Sequence, residues 1–250
     1  MDRWRNWNIK SRKVADEKLN ATWFGHSAFL LRAPGGKSVL IDPWLENPKA
    51  PAGAKDISPV DLILITHGHA DHLGNTIEIA RRTQAAVISI HEVSLYLQKQ
   101  GIANAQGMNK GGTMVVGGLK VTMVDAKHSS GMEIGGEVIP GGEAAGYVVE
   151  FENGFRVYHS GDTSVFTDMK IIADLYKPQL VLLPIGGLYT MDPREAAYAC
   201  KLLKPKYIVG MHYGTFPALA GTPAALRKNL PASMKNAVRE LEPGQSVAFK

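Results

Sequence analysis

Short runs of alternating or β-branched residues recur along the chain, separated by segments whose apolar positions repeat at helical spacing. The first kind predicts strands at Ala21–Phe24, Ala28–Arg32, Ser38–Asp42, Asp61–Thr66, Ala86–Ile90, Leu119–Asp125, Tyr147–Phe151, Phe155–His159, Gln179–Pro184, Tyr207–Met211 and Ser246–Phe249. The second predicts helices at Gly74–Arg82, Val93–Gln100, Thr167–Lys177, Pro193–Leu203 and Thr222–Leu230. Asn153-Gly154 sits between two predicted strands, and both residues tolerate the positive φ of a tight hairpin turn. Asp192-Pro193 with Glu195 three residues after the cap is a helix start with two capping interactions available. Two segments read as long loops, Pro43–Pro59 and the glycine-rich Ser129–Gly142; loops of that length in a compact domain are usually functional covers or disordered excursions. No composition break or fixed-period repeat interrupts the mixture, which predicts one layered α/β domain over residues 21–250 behind a lead-in at 1–20.

Composition narrows the class. With 45% hydrophobic and 20% charged residues, the 250-residue chain has the means to build a full core. No apolar run approaches the ~18 residues of a membrane span. The 28 basic and 23 acidic side chains leave +5 without any block of like charge, well short of a nucleic-acid footprint. Cys200 is the only cysteine, so no intrachain disulfide framework exists and a reducing, cytoplasmic setting is expected. Met1–Asn20 alternates charges around Trp4 and Trp7 and lacks the apolar centre of a signal peptide, although a chain already relieved of one would look the same.

The chemistry concentrates at His67-Gly68-His69-Ala70-Asp71-His72, which puts four candidate metal ligands in six residues. They follow the continuous apolar run Leu62–Ile65, so a rigid buried strand delivers them. Imidazole and carboxylate suit zinc and its first-row neighbours. Three further candidates lie just past apolar strands: His128, Asp162 in Ser160-Gly161-Asp162-Thr163, and His212. Strand ends that converge on one sheet edge are where α/β scaffolds build sites.

With those residues in view, the sequence resembles the metallo-β-lactamase-fold superfamily. The resemblance is closest to the metal-dependent hydrolase branch related to the ascorbate-6-phosphate lactonases. It rests on Trp23–Ser27, Ile41-Asp42-Pro43, Thr66–Gly74, Tyr158–Thr163, Thr190-Met191-Asp192 and Met211–Thr215, spanning about Thr22 to Phe216. It implies a four-layer αββα sandwich and two divalent metal ions per chain, zinc first and manganese second. By the same resemblance His67, His69 and His128 would hold one ion, Asp71, His72 and His212 the other, and Asp162 would bridge them. Two departures shape the implied chemistry. His69 stands where the diiron oxidoreductases of the superfamily have glutamate, and Asp162 supplies a bridging carboxylate that the dizinc β-lactamases lack. The implied reaction is hydrolysis of a lactone, ester or phosphate ester, a small lactone or ester leading.

Other polar residues carry weaker expectations. Asp71 is a candidate proton shuttle and His26 a candidate for orienting a ligand or making a plain buried hydrogen bond. His159 reads as structural and His91 as a surface or capping residue. Asp42 either turns the chain beside the metals or satisfies local amides. Tyr189 and Tyr213 are candidate oxyanion donors, and Trp44 with the glycine-rich loop candidate pocket lining. The expected partner is a small-molecule substrate, with no nucleic acid and no membrane, and a homo-oligomer is left open. Two competing readings remain: a phosphodiesterase or nuclease of the same fold, and a metal-stabilised binding protein without turnover.

Overall fold

A computed structural model describes residues 18–250; the lead-in with Trp4 and Trp7 lies almost wholly outside the described residues. Two seven-stranded mixed sheets are present. The first contains β1 (Leu19–Trp23), β2 (Phe29–Arg32), β3 (Ser38–Ile41), β4 (Leu62–Leu64), β5 (Ala86–Ile90) and β6 (Ala105–Met108), in that order. The second holds β7 (Thr113–Val116) and β8 (Leu119–Asp125), then, past a separate hairpin of β9 (Gly131–Ile134) and β10 (Glu137–Pro140), β11 (Ala145–Glu150), β12 (Arg156–His159), β13 (Leu180–Pro184), β14 (Tyr207–Met211) and β15 (Val238–Arg239). The last strand, β16 (Ser246–Phe249), returns to the first sheet and pairs antiparallel with β1.

In both sheets antiparallel strands give way to parallel ones, at β3/β4 and at β12/β13. The parallel strands are buried on both faces, which is why Leu62–Ile65 and Leu180–Leu183 read as unbroken apolar runs rather than alternations. One core fills the space between the sheets, with Phe29, Leu31, Leu40 and Ile63 from the first meeting Val121, Tyr147, Val149 and Leu182 from the second. A second apolar cluster covers the outer face of the second sheet beneath α4 (Met169–Tyr176), α5 (Pro193–Leu203) and α6 (Pro223–Asn229). On the first sheet α3 (His91–Lys99) packs against β5 and β6; α1 (Ala70–Leu73), α2 (Thr76–Thr83) and α7 (Ala232–Lys235) are the other α-helices. The helix–sheet–sheet–helix layering is the expected one. No helix among the described residues is long and apolar enough to cross a membrane.

Local signals explain most boundaries. Asp192 accepts from the Arg194 and Glu195 amides while the Glu195 carboxylate accepts from the Asp192 amide, closing the anticipated capping box. Asn153-Gly154 turns β11 into β12, with Gly154 at φ 79°. Three expectations need correction. Ser129–Gly142 is not a loop: it carries β9 and β10, with Gly135-Gly136 at the turn, both at positive φ. The helix expected from Gly74 begins at Thr76, because Gly74 breaks the backbone at φ 40°, ψ −126° after the separate turn α1. β6, β7 and β15 had no sequence signal strong enough to mark them as strands.

Candidate metal centre

All seven proposed ligands leave the ends of strands on one rim of the sandwich. β4 delivers Thr66–His72 past a tight spot: a Cβ on Gly68 would stand 2.6 Å from Met132 Cγ in β9, so only glycine passes beneath the hairpin. The loop becomes helix at once. His69 O accepts from the His72 and Leu73 amides, which places Asp71 and His72 on the first turn of α1. Gly74 then lets the chain graze Trp44, whose Cα would lie 2.5 Å from any Cβ there. In the second sheet His128 follows β8, Asp162 follows β12 through Gly161 at φ 60°, and His212 follows β14 at φ 54°. The His212 amide donates to His26 O at 2.9 Å, which ties the β1–β2 turn to the end of β14.

Their side chains converge. His67 Nε2 and His69 Nδ1 stand 2.9 Å apart, and the His128 ring lies 5.1 Å from each of theirs. Asp162 Oδ2 lies 2.9 Å from His212 Nε2, 3.2 Å from His72 Nε2 and 3.8 Å from His128 Nε2. Asp71 Oδ2 lies 3.7 Å from His72 Nε2 and 3.8 Å from His212 Nε2. The donor atoms therefore fall into His67/His69/His128, His26/Asp71/His72/His212 and His67/His72/Asp162, each compact enough for one ion. His72 Nε2, Asp162 Oδ1 and His212 Nδ1 are buried with no hydrogen-bond partner among the described residues. Leaving such atoms unsatisfied costs about 1–3 kcal/mol each. An unpartnered imidazole nitrogen of His72 and an unpartnered oxygen of Asp162 in one cluster fit a site shaped for a cation with N/O ligands.

The electrostatics agree. Burial works against charge on Asp162, but His212 and His72 outweigh it and hold the carboxyl well below the usual carboxylate range. Burial likewise opposes a charge on His72, yet Asp162 and Asp42 on either side carry it well above an ordinary imidazole. His67 goes the other way, lowered by burial and then by the nearby His72 charge. His69 and His128 are lowered chiefly by partial burial. Three imidazoles on one side are thus poised as neutral ligands, and the carboxylates gather on the other.

Of the remaining expectations, His26 is in the site. Burial pushes its imidazole down to about 4, the Asp71 hydrogen bond resisting. Its Nε2 lies 2.9 Å from Asp71 Oδ2 and its Nδ1 2.9 Å from Thr215 Oγ1. A carboxylate only accepts, so Nε2 carries the proton and donates, and Nδ1 accepts from the Thr215 hydroxyl. His159 is structural, as expected: buried, its Nε2 donates to Ser27 O and its Nδ1 accepts from the Gly161 amide, which shapes the turn before Asp162. His91 starts α3, exposed.

A cavity of about 310 Å³ opens onto the centre, lined by His69, Asp71, His128, Ser129, Asp162, Tyr189, His212 and Phe216. Tyr189 lines it; Tyr213 does not, because its ring stacks on Trp23 at 5.2 Å and burial pushes its phenol up to about 12. Trp44 is also absent from the lining and sits behind it, 5.0 Å from the His26 ring and 5.9 Å from the Phe216 ring. Of the glycine-rich segment, Ser129 reaches the cavity, with Oγ 3.3 Å from His69 Nε2. Sequence reasoning assigned no role to Ser129, Thr66 or Thr215. Hydroxyls are too common for their type alone to mark them.

The beta-lactamase superfamily domain model matches residues 37–213. A UPF0173 metal-dependent hydrolase of Koribacter versatilis is 50% identical over 229 residues, covering 91% of this chain and 97% of the relative. One from Methanosarcina mazei is 48% identical over 235 residues, covering 94% and 99%. Among solved structures, the metallo hydrolase Igni18 of the archaeon Ignicoccus hospitalis superposes with a TM-score of 0.84 at 38% identity, over 93% of this chain and 99% of that one. An isothiocyanate hydrolase from Delia radicum gut bacteria shares the fold, with a TM-score of 0.72 at 21% identity over 92% of this chain and 98% of its own. By this extent of identity and coverage, the chain belongs to the beta-lactamase superfamily and, within it, to the UPF0173 metal-dependent hydrolases.

Proposed function

We propose that the protein is a dinuclear hydrolase of small lactones or esters. The observation that carries this reading is the position of Asp162 Oδ2, within 4 Å of ring nitrogens from His128 on one side and from His72 and His212 on the other. His67, His69 and His128 would hold one ion, Asp71, His72 and His212 the other, and Asp162 both. Zinc suits this donor set first and manganese second. When bound, two such ions supply Lewis acidity and a water acidified to a pKa of about 7.

The side chains do the rest. Asp71 Oδ2 is fixed by His26, so Oδ1 is the atom that takes the proton released on attack and returns it to the leaving oxygen. Ser129 Oγ stands 3.3 Å from His69 Nε2, and with His69 ligating through Nδ1, the atom beside His67 Nε2, the serine would accept from Nε2. Tyr189 and Phe216, 61% and 41% exposed, form an apolar wall for the rest of the substrate. Among the described residues no lysine or arginine lines the cavity, and its size suits a compact uncharged molecule better than a polyanionic strand. The buried Cys200, its thiol pushed up to about 12 by desolvation, is not placed to act as a nucleophile.

A panel of lactones, aryl esters, bis-aryl phosphodiesters, β-lactams and single-stranded RNA tests the reading. Lactone or ester turnover should be abolished by chelator, restored by metal and indifferent to thiol reagents. Much larger kcat/KM on phosphodiesters or RNA than on every lactone and ester would replace it with the phosphodiesterase reading. No turnover on any substrate would favour a binding protein.

A further inference from the structure

Beside the metal-centre cavity, and sharing Phe216 with it as a common wall, lies an open groove of about 520 Å³. Tyr213, Gly214, Thr215 and Phe216, the residues straight after the proposed ligand His212, run along it. Among the described residues its one charged lining side chain is Lys49.

That lysine is held in a slot. A Cβ on Gly25 would stand 3.0 Å from Lys49 Cβ, and a Cβ on Gly214 would stand 2.9 Å from its Cε and 3.1 Å from its Nζ. Both glycines have positive φ, 89° and 64°, so each turns the chain and leaves room for the lysine stem. The stem thus lies half-buried between the β1–β2 turn and the loop after β14. Asn47 fixes its base: Oδ1 accepts from the Lys49 amide at 2.9 Å, while Nδ2 donates to Phe24 O at 3.0 Å and Trp44 O at 2.7 Å. The ammonium at the other end has no hydrogen-bond or ion-pair partner among the described residues, whereas Lys37, Lys55 and Lys110 each meet a carboxylate. Ordering a lysine stem costs side-chain entropy, and a half-buried charge loses hydration. An anion brought by a ligand offsets both through a charge-assisted hydrogen bond.

We propose that this groove is the subsite for an anionic group of the substrate, a carboxylate or a phosphate, and that Lys49 is the residue that selects for it. The reacting lactone or ester lies in the cavity, which no described lysine or arginine lines, and the anion lies across Phe216 from it. The substrate class narrows to small lactones and esters bearing an acidic group away from the scissile bond. That class rests on the hydrolase reading of the metal centre; the anion site itself does not. Lys49 touches neither the proposed ions nor the reacting atoms, so its contribution belongs in KM rather than in kcat.

Matched pairs of p-nitrophenyl esters test this. One member is the hemiester of a straight-chain diacid, from glutaric to suberic, ending in a carboxylate. The other ends in a primary amide, nearly the same shape without the charge. A phosphate-ended series separates phosphate from carboxylate. At the best chain length wild type should prefer the anion over the amide by about 10- to 100-fold in kcat/KM, the range of a hydrogen bond to a charged group. The preference should reside in KM, collapse in Lys49→Met, survive in Lys49→Arg and reverse in Lys49→Glu. Wild type that treats both members of every pair alike would overturn the proposal, and so would a preference that Lys49→Met retains. NMR titration with the monoamide of adipic acid, a carboxylate with no ester to cleave, reads the subsite without turnover. If no ester turns over, yet this carboxylate binds wild type and binds Lys49→Met more weakly, the hydrolase reading fails and the subsite stands. Ester turnover without charge preference, together with equal binding of the monoamide by both proteins, overturns the subsite and leaves the hydrolase reading standing.

Discussion

The two proposed metal sites share a carboxylate but differ in almost everything else. His67, His69 and His128 form a group with no acid of its own, and two of its members face the cavity. Asp71, His72 and His212 form a group hemmed in by Asp162 and Asp42, with both imidazoles almost fully buried. The first consists of imidazoles that resist protonation; the second includes one, His72, that favours it. An ion in the second group replaces positive charge that the surrounding carboxylates already call for. An ion in the first meets neutral ligands near solvent. Tight, structural retention is therefore expected on the Asp71 side and easier exchange on the His69 side.

Asp162→Ala strikes at what the two groups share and should have the largest effect. Turnover should fall by more than the ~100-fold upper end for outer partners, while the melting temperature of the metal-free protein changes little. The strand before the residue keeps its ladder to β11 and β13. Steady-state kinetics beside thermal melts would check this.

His26→Ala and Thr215→Val sharpen the Asp71 side. Each removes a support of the Asp71 carboxylate without removing a proposed ligand. Both should lower kcat by about 10- to 100-fold with little change in KM, His26→Ala more than Thr215→Val. Equal losses in KM alone would instead place His26 against the substrate.

Acid separates the imidazoles on stability. His26 has a folded pKa of about 4 against 6.5 for the ordinary group, and His67, His69, His128 and His159 are shifted in the same direction. Between pH 6.5 and about 4 the unfolded chain takes up protons that the folded one refuses, so the stability these groups contribute is lost as pH falls through that window. His72 is shifted upward and opposes the trend, but it is one group against five. Melting temperatures of the metal-free protein should therefore decline on acidification from pH 6.5. His91→Ala, exposed at the start of α3, should be nearly silent, within about 0.5 kcal/mol in stability and without effect on rate.

How far the sequence foretold this varies by region, and for physical reasons. Ala86–Ile90, Leu119–Asp125, Tyr207–Met211 and Pro193–Leu203 match to the residue, because apolar patterning or an N-terminal cap fixes both their type and their ends. β6 reads Ala-Gln-Gly-Met and buries only its two ends, and β10 exposes all its side chains, so neither shows an alternation to announce it. The ligands were legible because His and Asp at the ends of apolar runs are chemically conspicuous. Their supports were not: Thr215 reaches His26 across 189 positions, and Ser129 and Thr66 gain meaning only from what stands beside them. Asp42 was open between turning the chain and satisfying local amides; its Oδ1 accepts from the Thr66 amide, and its contact with His72 could not be read from a single acid after a strand.

Titration of the metal-free protein with zinc or manganese, read by calorimetry and elemental analysis, tests the central claim most directly. Two equivalents per chain should bind in two resolved steps, and the weaker step should be the one lost in His69→Ala. Saturation at one equivalent with all seven side chains intact would contradict the account.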